Sequence, residues 1–251
     1  MSPIKRKVIG IAVAAAGVLA AAIFLLWPRH KAEKTNEMIR ESVIRDQSTV
    51  TDDLSVETDN EEETNDHDVF GNMIIDFDKL REKNPDIVAW IEVEGTGISY
   101  PVLQSSGDEP EDYYLTHDVD RHDSKHGAIY MQKRNSPQFK DFMTVLYGHN
   151  MRDGTMFRQL HNFKDPSFLK ERDRIVIYLP NDKKKQYKIV SAEITSDENI
   201  LDAYDDFKDL DIAEAYRKEL EVDEFRTSFL ALSTCCGEKE RRLIVYSVES
   251  E

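Results

Sequence analysis

Both cysteines of the chain stand side by side, Cys235 and Cys236, in the stretch LSTCCGEKERRLIVY, with Arg241 and Arg242 a few residues on. A thiol is nucleophilic only as its thiolate, and an ordinary thiol holds little of that form near neutral pH. Chemistry at either cysteine therefore calls for a cationic or basic neighbour. An arginine supplies a fixed fork of donors, suited to a developing oxyanion or a substrate carbonyl. Its common fate is a solvated surface position. Among the histidines, His30 and His67 lie in polar N-terminal segments. His117, His122 and His126 fall in the loop THDVDRHDSKH, where exposure is expected. The spacing of that loop fits no metal-ligand pattern, and no metal or cofactor is expected. His149 stands apart, because it closes the apolar run FMTVLYGHN, where Gly148 allows a sharp exit or a close approach. At such a strand end it reads equally as a catalytic group or as a cap bonded to backbone.

The pair of cysteines offers few structural uses. Adjacent Cα atoms sit about 3.8 Å apart, too close for an unstrained disulfide. Two cysteines also fall short of a structural zinc site. A reactive thiol and an inert buried pair both remain. Strand parity divides the candidates without choosing between them. Phe229, Ala231, Ser233 and Cys235 share one face of SFLALSTC, and Leu230, Leu232, Thr234 and Cys236 share the other. Arg242 goes with Ile244 and Tyr246, and Arg241 with Leu243 and Val245.

About eight strands are needed to position these groups. Runs rich in β-branched and aromatic residues appear at 87–95, 98–103, 127–131, 142–148, 174–180, 185–195, 228–235 and 242–249. A short helix is expected in IIDFDKLREKNPD, stopped near Pro85. Two insertions read as helical. DGTMFRQLHNF opens with Asp153 as a cap, and residues 211–225 place Ile212, Ala215, Tyr216 and Leu220 near one face. Strands without βαβ alternation favour an antiparallel barrel or sandwich over a parallel sheet.

The N-terminal quarter is different in kind. Residues 8–27, VIGIAVAAAGVLAAAIFLLW, carry no charge and follow a short N-terminus, 1–7, that contains KRK. Twenty apolar residues match a bilayer core about 30 Å thick, so an uncleaved transmembrane anchor is expected. The small residues AAAGVLAAA leave a cleaved leader as the alternative. Residues 28–68 follow as an acidic stalk, and 51–68 holds no Lys or Arg and few large apolar residues. The folded domain is expected over 69–251. A formal net charge of −16 argues against a nucleic-acid partner.

The ordered set of motifs resembles the sortases, the cysteine transpeptidases of Gram-positive cell surfaces, and class B most closely. It consists of NPDIVAWIEVEGTGISYPVLQ, YYLTHD, GAIYM, LYGHNMRDGTMFRQL and STC with a following RLIVY. The likeness runs over roughly residues 70–249. It implies a mostly-β protein, an eight-stranded barrel with peripheral helices. It implies His149, Cys235 and Arg242 as catalytic residues, with Tyr147, Ser233, Thr234 and Leu115 along the substrate groove. The implied reaction cleaves a C-terminal sorting signal of exported proteins through a thioacyl enzyme. The new carboxyl end then passes to an amine of a peptidoglycan precursor or to a pilin lysine. The implied location is a single-pass membrane protein with its catalytic domain outside. The rivals are a hydrolytic cysteine peptidase of the same fold, a membrane-tethered binding domain and a thiol redox sensor. The chain departs from the family pattern at Ala231, at EPED before YYL, and at Cys236, which reads as an apolar filler or as a guard thiol.

Overall fold

A computed structural model describes residues 70–219 and 228–250, together with the two-residue strand β1 (Ile44–Arg45). The expected anchor at 8–27 and all of the stalk except β1 lie outside the described residues. Among the described residues, no helix is long and apolar enough to cross a membrane.

β1 pairs antiparallel with β2 (Ile74–Ile75). Helix α1 (Phe77–Lys83) follows, begun by Asp76, whose side chain accepts the Lys79 N–H at 3.1 Å. It buries Phe77 and Leu80 and ends at extended Asn84, because the following Pro85 disfavours helical backbone there.

The body is a closed barrel of eight strands. They are β3 (Ile87–Val93), β4 (Ser99–Gln104), β5 (Ile129–Met131), β6 (Met143–Tyr147), β7 (Arg174–Leu179), β8 (Lys183–Ser196), β9 (Phe229–Cys235) and β10 (Arg241–Ser250). Around the barrel the order is β10-β8-β7-β3-β4-β5-β6-β9. Each expected run forms a strand. The expectation of an antiparallel sheet is corrected at two seams, since β4 pairs β5 and β6 pairs β9 in parallel.

Two cores result. Leu230, Leu232, Leu243 and Val245 point into the barrel with Trp-free aliphatic company such as Ile91, Val102 and Ile177. Phe229, Ala231, Ile244 and Tyr246 point outward beneath α3 (Ile200–Ala203) and α4 (Leu210–Glu219), against Ile200, Phe207 and Tyr216. Both faces of β9 are thus buried, which is why its sequence is apolar almost throughout.

Two helical expectations change, and one helix is added. The segment from Asp153 forms a 3-10 turn at Arg158–Lys164 rather than a helix capped by Asp153, whose carboxylate accepts from Thr155 and His126 instead. On α4 the buried residues are Ala213, Tyr216 and Arg217, while Ala215 faces solvent and Leu220 lies outside the described residues. A further helix, α2 (Pro166–Glu171), starts at the Asp165 cap with Pro166 at its first position.

Candidate active site

The topology sets the site by register. β6 and β9 run in parallel with Tyr147 opposite Ser233, so His149 and Cys235, two residues further along each, arrive at the same rim. β9 and β10 are antiparallel with Cys235 opposite Arg242. The end of one strand and the start of the next therefore bring nucleophile and guanidinium together. Arg242 Nη1 donates to Cys235 Sγ at 2.9 Å. The neighbours of each separate as parity requires. Arg241 pairs with Glu238 and donates to the Ile194 carbonyl, and Cys236 packs against the barrel's inner core. Both thiols are free. The inner packing of Cys236 favours the filler reading over the guard thiol.

His149 is held from the other side. Its Nε2 lies 2.7 Å from the Leu115 carbonyl. A carbonyl only accepts, so Nε2 carries the proton and Nδ1 is left open. Leu115 belongs to a 3-10 turn, Tyr113–Leu115, nailed down by the fully buried Tyr114. The Tyr114 hydroxyl donates to Asp86 Oδ2 at 2.6 Å and accepts from Asn84 Nδ2 at 2.9 Å. Burial first, and the Asp86 carboxylate second, push the phenol well above its usual pKa, so it remains a donor. Arg121 closes the group on the same Asp86 oxygen at 2.7 Å.

Two glycines allow the close approaches. A Cβ on Gly127 would meet the Leu115 and Tyr114 carbonyl oxygens at 2.6 Å, and its φ is +58°. A Cβ on Gly148 would meet Ile129 Cδ1 at 2.5 Å and Phe157 Cδ2 at 2.7 Å, so close approach is its reason.

The four residues expected along a substrate groove separate. Tyr147 and Ser233 lie on the outer face with Cys235. Tyr147 stacks on Tyr130 with centroids 5.3 Å apart, and its buried hydroxyl has no hydrogen-bond partner among the described residues. Burial raises its pKa, so it too stays a donor. Leu115 is half-buried and contributes its carbonyl to His149. Thr234 is a correction. It is fully buried on the inner side, where its hydroxyl donates to the Gly148 carbonyl at 2.8 Å and ties the two strand ends together.

The polar loop is more ordered than expected. His117 stacks on Tyr113 at 3.8 Å between centroids, and His126 bonds Asp153 at 2.9 Å, while His122 is exposed. Asp118, Asp120 and His122 come together, but Asp118 Oδ1 already accepts two backbone N–H groups and Lys83 holds Asp120 at 2.6 Å.

Two residues at the site escaped the sequence reading. Asn150 Nδ2 and His161 Nε2 both reach the Cys235 carbonyl, at 2.7 and 3.2 Å. Asn150 follows His149 directly. His161, inside the 3-10 turn Arg158–Lys164, carries no local signal.

A closed eight-stranded barrel with a cysteine, an arginine and a histidine on one rim defines the sortase class, and the sortase domain model matches residues 91–250. Sortase B of Staphylococcus aureus is 31% identical over 180 residues, covering 67% of this chain and 72% of that protein. Sortase B of Listeria monocytogenes is 41% identical over 90 residues, 36% of this chain but only 35% of that protein's length. The structure of Clostridium perfringens sortase B superposes with a TM-score of 0.61 at 31% identity, covering 70% of this chain and all of that one. The chain belongs to the sortase family, and within it to class B, the cysteine transpeptidases of these three relatives.

Proposed function

We propose that the chain cleaves a C-terminal sorting signal on exported proteins and transfers the new carboxyl end to a primary amine. The observation that carries this reading is Arg242 donating to Cys235 Sγ at 2.9 Å on the rim that His149 shares. A guanidinium in that contact offsets the negative charge that sulfur takes on as the thiol gives up its proton. The Cys235 thiol passes its proton to the open His149 Nδ1, Sγ attacks the peptide carbonyl carbon, and the carbonyl electron pair moves onto oxygen. Arg242 is then the donor within reach of the oxyanion, where a single such donor contributes about 3 kcal/mol of transition-state stabilisation. Collapse breaks the C–N bond, and the leaving amine takes a proton from His149 Nδ1. The acceptor amine attacks the thioester, gives its proton back to Nδ1, and releases the thiolate.

The acceptor is an amine of a peptidoglycan precursor, with a pilin lysine as the second choice. Residues 8–27 anchor the enzyme in the membrane, where exported substrates emerge. Tyr147 is half-buried, and its buried hydroxyl, unpartnered among the described residues, becomes a donor for substrate only when the side chains around it part.

A library of sorting-signal peptides, offered with and without an amine acceptor, tests the proposal. Expected is a product carrying the amine, absent with Cys235→Ala. Cleavage retained by Cys235→Ala would overturn the assignment, and hydrolysed product alone in the presence of amine would make the enzyme a peptidase.

A further inference from the structure

We propose that Asn150 and His161 are positioning residues for the nucleophile, gripping the main-chain carbonyl of Cys235 so that its thiol stays on Arg242. The proposal rests on the reading of Cys235 as the nucleophile.

The need for a grip follows from where the ladder stops. The last bond between the two parallel strand ends runs from the Gly148 N–H to the Ser233 carbonyl, at 3.2 Å. With a period of two, the next carbonyl on that edge of β9 belongs to Cys235. The neighbouring chain has by then turned away at Gly148 and His149, so no backbone donor continues the seam. An unheld strand end frays. Here two side chains take over the missing ladder. Asn150 Nδ2 donates to the Cys235 carbonyl at 2.7 Å and His161 Nε2 at 3.2 Å, one for each lone pair.

Each donor is itself held. Arg158 Nη1 donates to Asn150 Oδ1 at 3.1 Å, which fixes the amide with its NH2 toward Cys235. His161 rides on the 3-10 turn Arg158–Lys164, whose Leu160 and Phe163 are sunk in the barrel core. Burial pushes the His161 imidazole below its usual pKa. The bond to the Cys235 carbonyl works against that shift, and Lys164 and Arg158 reinforce it. The ring is therefore neutral near pH 7 with its one proton on Nε2, because the carbonyl can only accept.

The same segment also holds the histidine. The Phe157 N–H donates to the His149 carbonyl at 3.0 Å. Between them sits Met156, buried with φ +56°, its N–H on the Tyr100 hydroxyl at 3.2 Å. One stretch of chain, 149–161, thus registers both reacting residues against each other, although 85 positions separate Asn150 from Cys235.

Five variants of the full-length chain test this, each on a Cys236→Ala background: His161→Leu, His161→Gln, Asn150→Ala, Arg242→Gln, and His161→Leu combined with Arg242→Gln. The readouts are kcat and KM on the peptide that the library yields, the rate of Cys235 alkylation by iodoacetamide, and the thermal midpoint. His161→Leu is expected to lower kcat about ten-fold with KM unchanged, a misalignment effect. Alkylation should slow in parallel. Asn150→Ala should behave alike, and His161→Gln, which keeps a donor, should recover most of the loss. With Arg242→Gln already in place, His161→Leu should add nothing further to the alkylation defect, since the partner of the aligned thiol is gone. Unchanged kcat and alkylation in both His161→Leu and Asn150→Ala overturn the proposal. So do equal losses in His161→Leu and His161→Gln that follow the thermal midpoint, which mark a merely structural role. If the background protein turns over no peptide, the transpeptidase reading fails while the alkylation rates still decide the positioning.

Discussion

Cys235 and Cys236 are one peptide bond apart and face opposite sides of the barrel wall. One meets a guanidinium and the other meets the inner core. That division was legible in the sequence as parity, and so was the grouping of Arg242 with Ile244 and Tyr246. Parity could not say which face carried the chemistry, because both faces of β9 are apolar; only the tertiary partners decide it. Thr234 shows the limit from the other direction. It stands next to the nucleophile in a motif, yet its hydroxyl is spent inside the wall on Gly148. His161 was illegible for a simpler reason: its target is a carbonyl 74 residues away. At this scale the fork of Arg242 is open to test. Arg242→Lys keeps the charge but replaces the planar fork with a point donor. It should lower kcat by about 10²-fold, measured on the library peptide, with little change in thermal midpoint.

Among the elements, the strands were the readable part. Each barrel strand is a β-branched or aromatic run bounded by turn residues, and such runs have few other uses. What could not be read was which strands are neighbours. The parallel seams β4–β5 and β6–β9 are made by distant segments and leave no local trace. The 3-10 turn at Arg158–Lys164 was read as a helix and the one at Tyr113–Leu115 was not read, since three to seven residues carry too little periodicity. The turn at Tyr113–Leu115 nevertheless has a sharp test. Gly127→Ala puts a methyl against two carbonyl oxygens at 2.6 Å and forces a positive φ on alanine. It should lower stability by about 1–3 kcal/mol and reduce kcat as well, because the displaced carbonyl is the acceptor for His149. Denaturant unfolding and peptide turnover measure the two effects.

The clasp between the loops flanking His149 gives a pH prediction. Burial works to raise the Asp153 carboxyl, but hydrogen bonds from the Thr155 hydroxyl, His126 and the Thr155 N–H outweigh it and leave the pKa below the ordinary 3.8. A carboxylate lowered in the folded state adds stability that is full above the unfolded value and is lost as pH falls through the folded one. The stability gap between wild type and Asp153→Asn should therefore hold at neutral pH, narrow below about pH 4 and close in stronger acid. Denaturant midpoints across that range check it. A gap that widens on acidification would show the sign to be wrong.

At the scale of the whole molecule, the barrel and its helical insertion are one folding unit. Phe229 is fully buried on the outer face, with Phe142 at 5.1 Å and Tyr216 at 6.3 Å between ring centroids. Phe229→Ala should cost about 3–5 kcal/mol, seen as a single shifted unfolding transition. Two separate transitions would mean that α3 and α4 melt independently.

Closure of the sheet reaches beyond stability. β9, which carries Cys235, is paired on both sides, with β6 and with β10, so it offers no free edge. A peptide arriving at the thiol cannot add to β9 as an extra strand. Under the proposed reaction, recognition is expected to fall to outward side chains and to the backbone of loops crossing its path. Selectivity in such a wall is rewritten by changing loops and single outward residues, with the hydrogen-bonded frame left untouched.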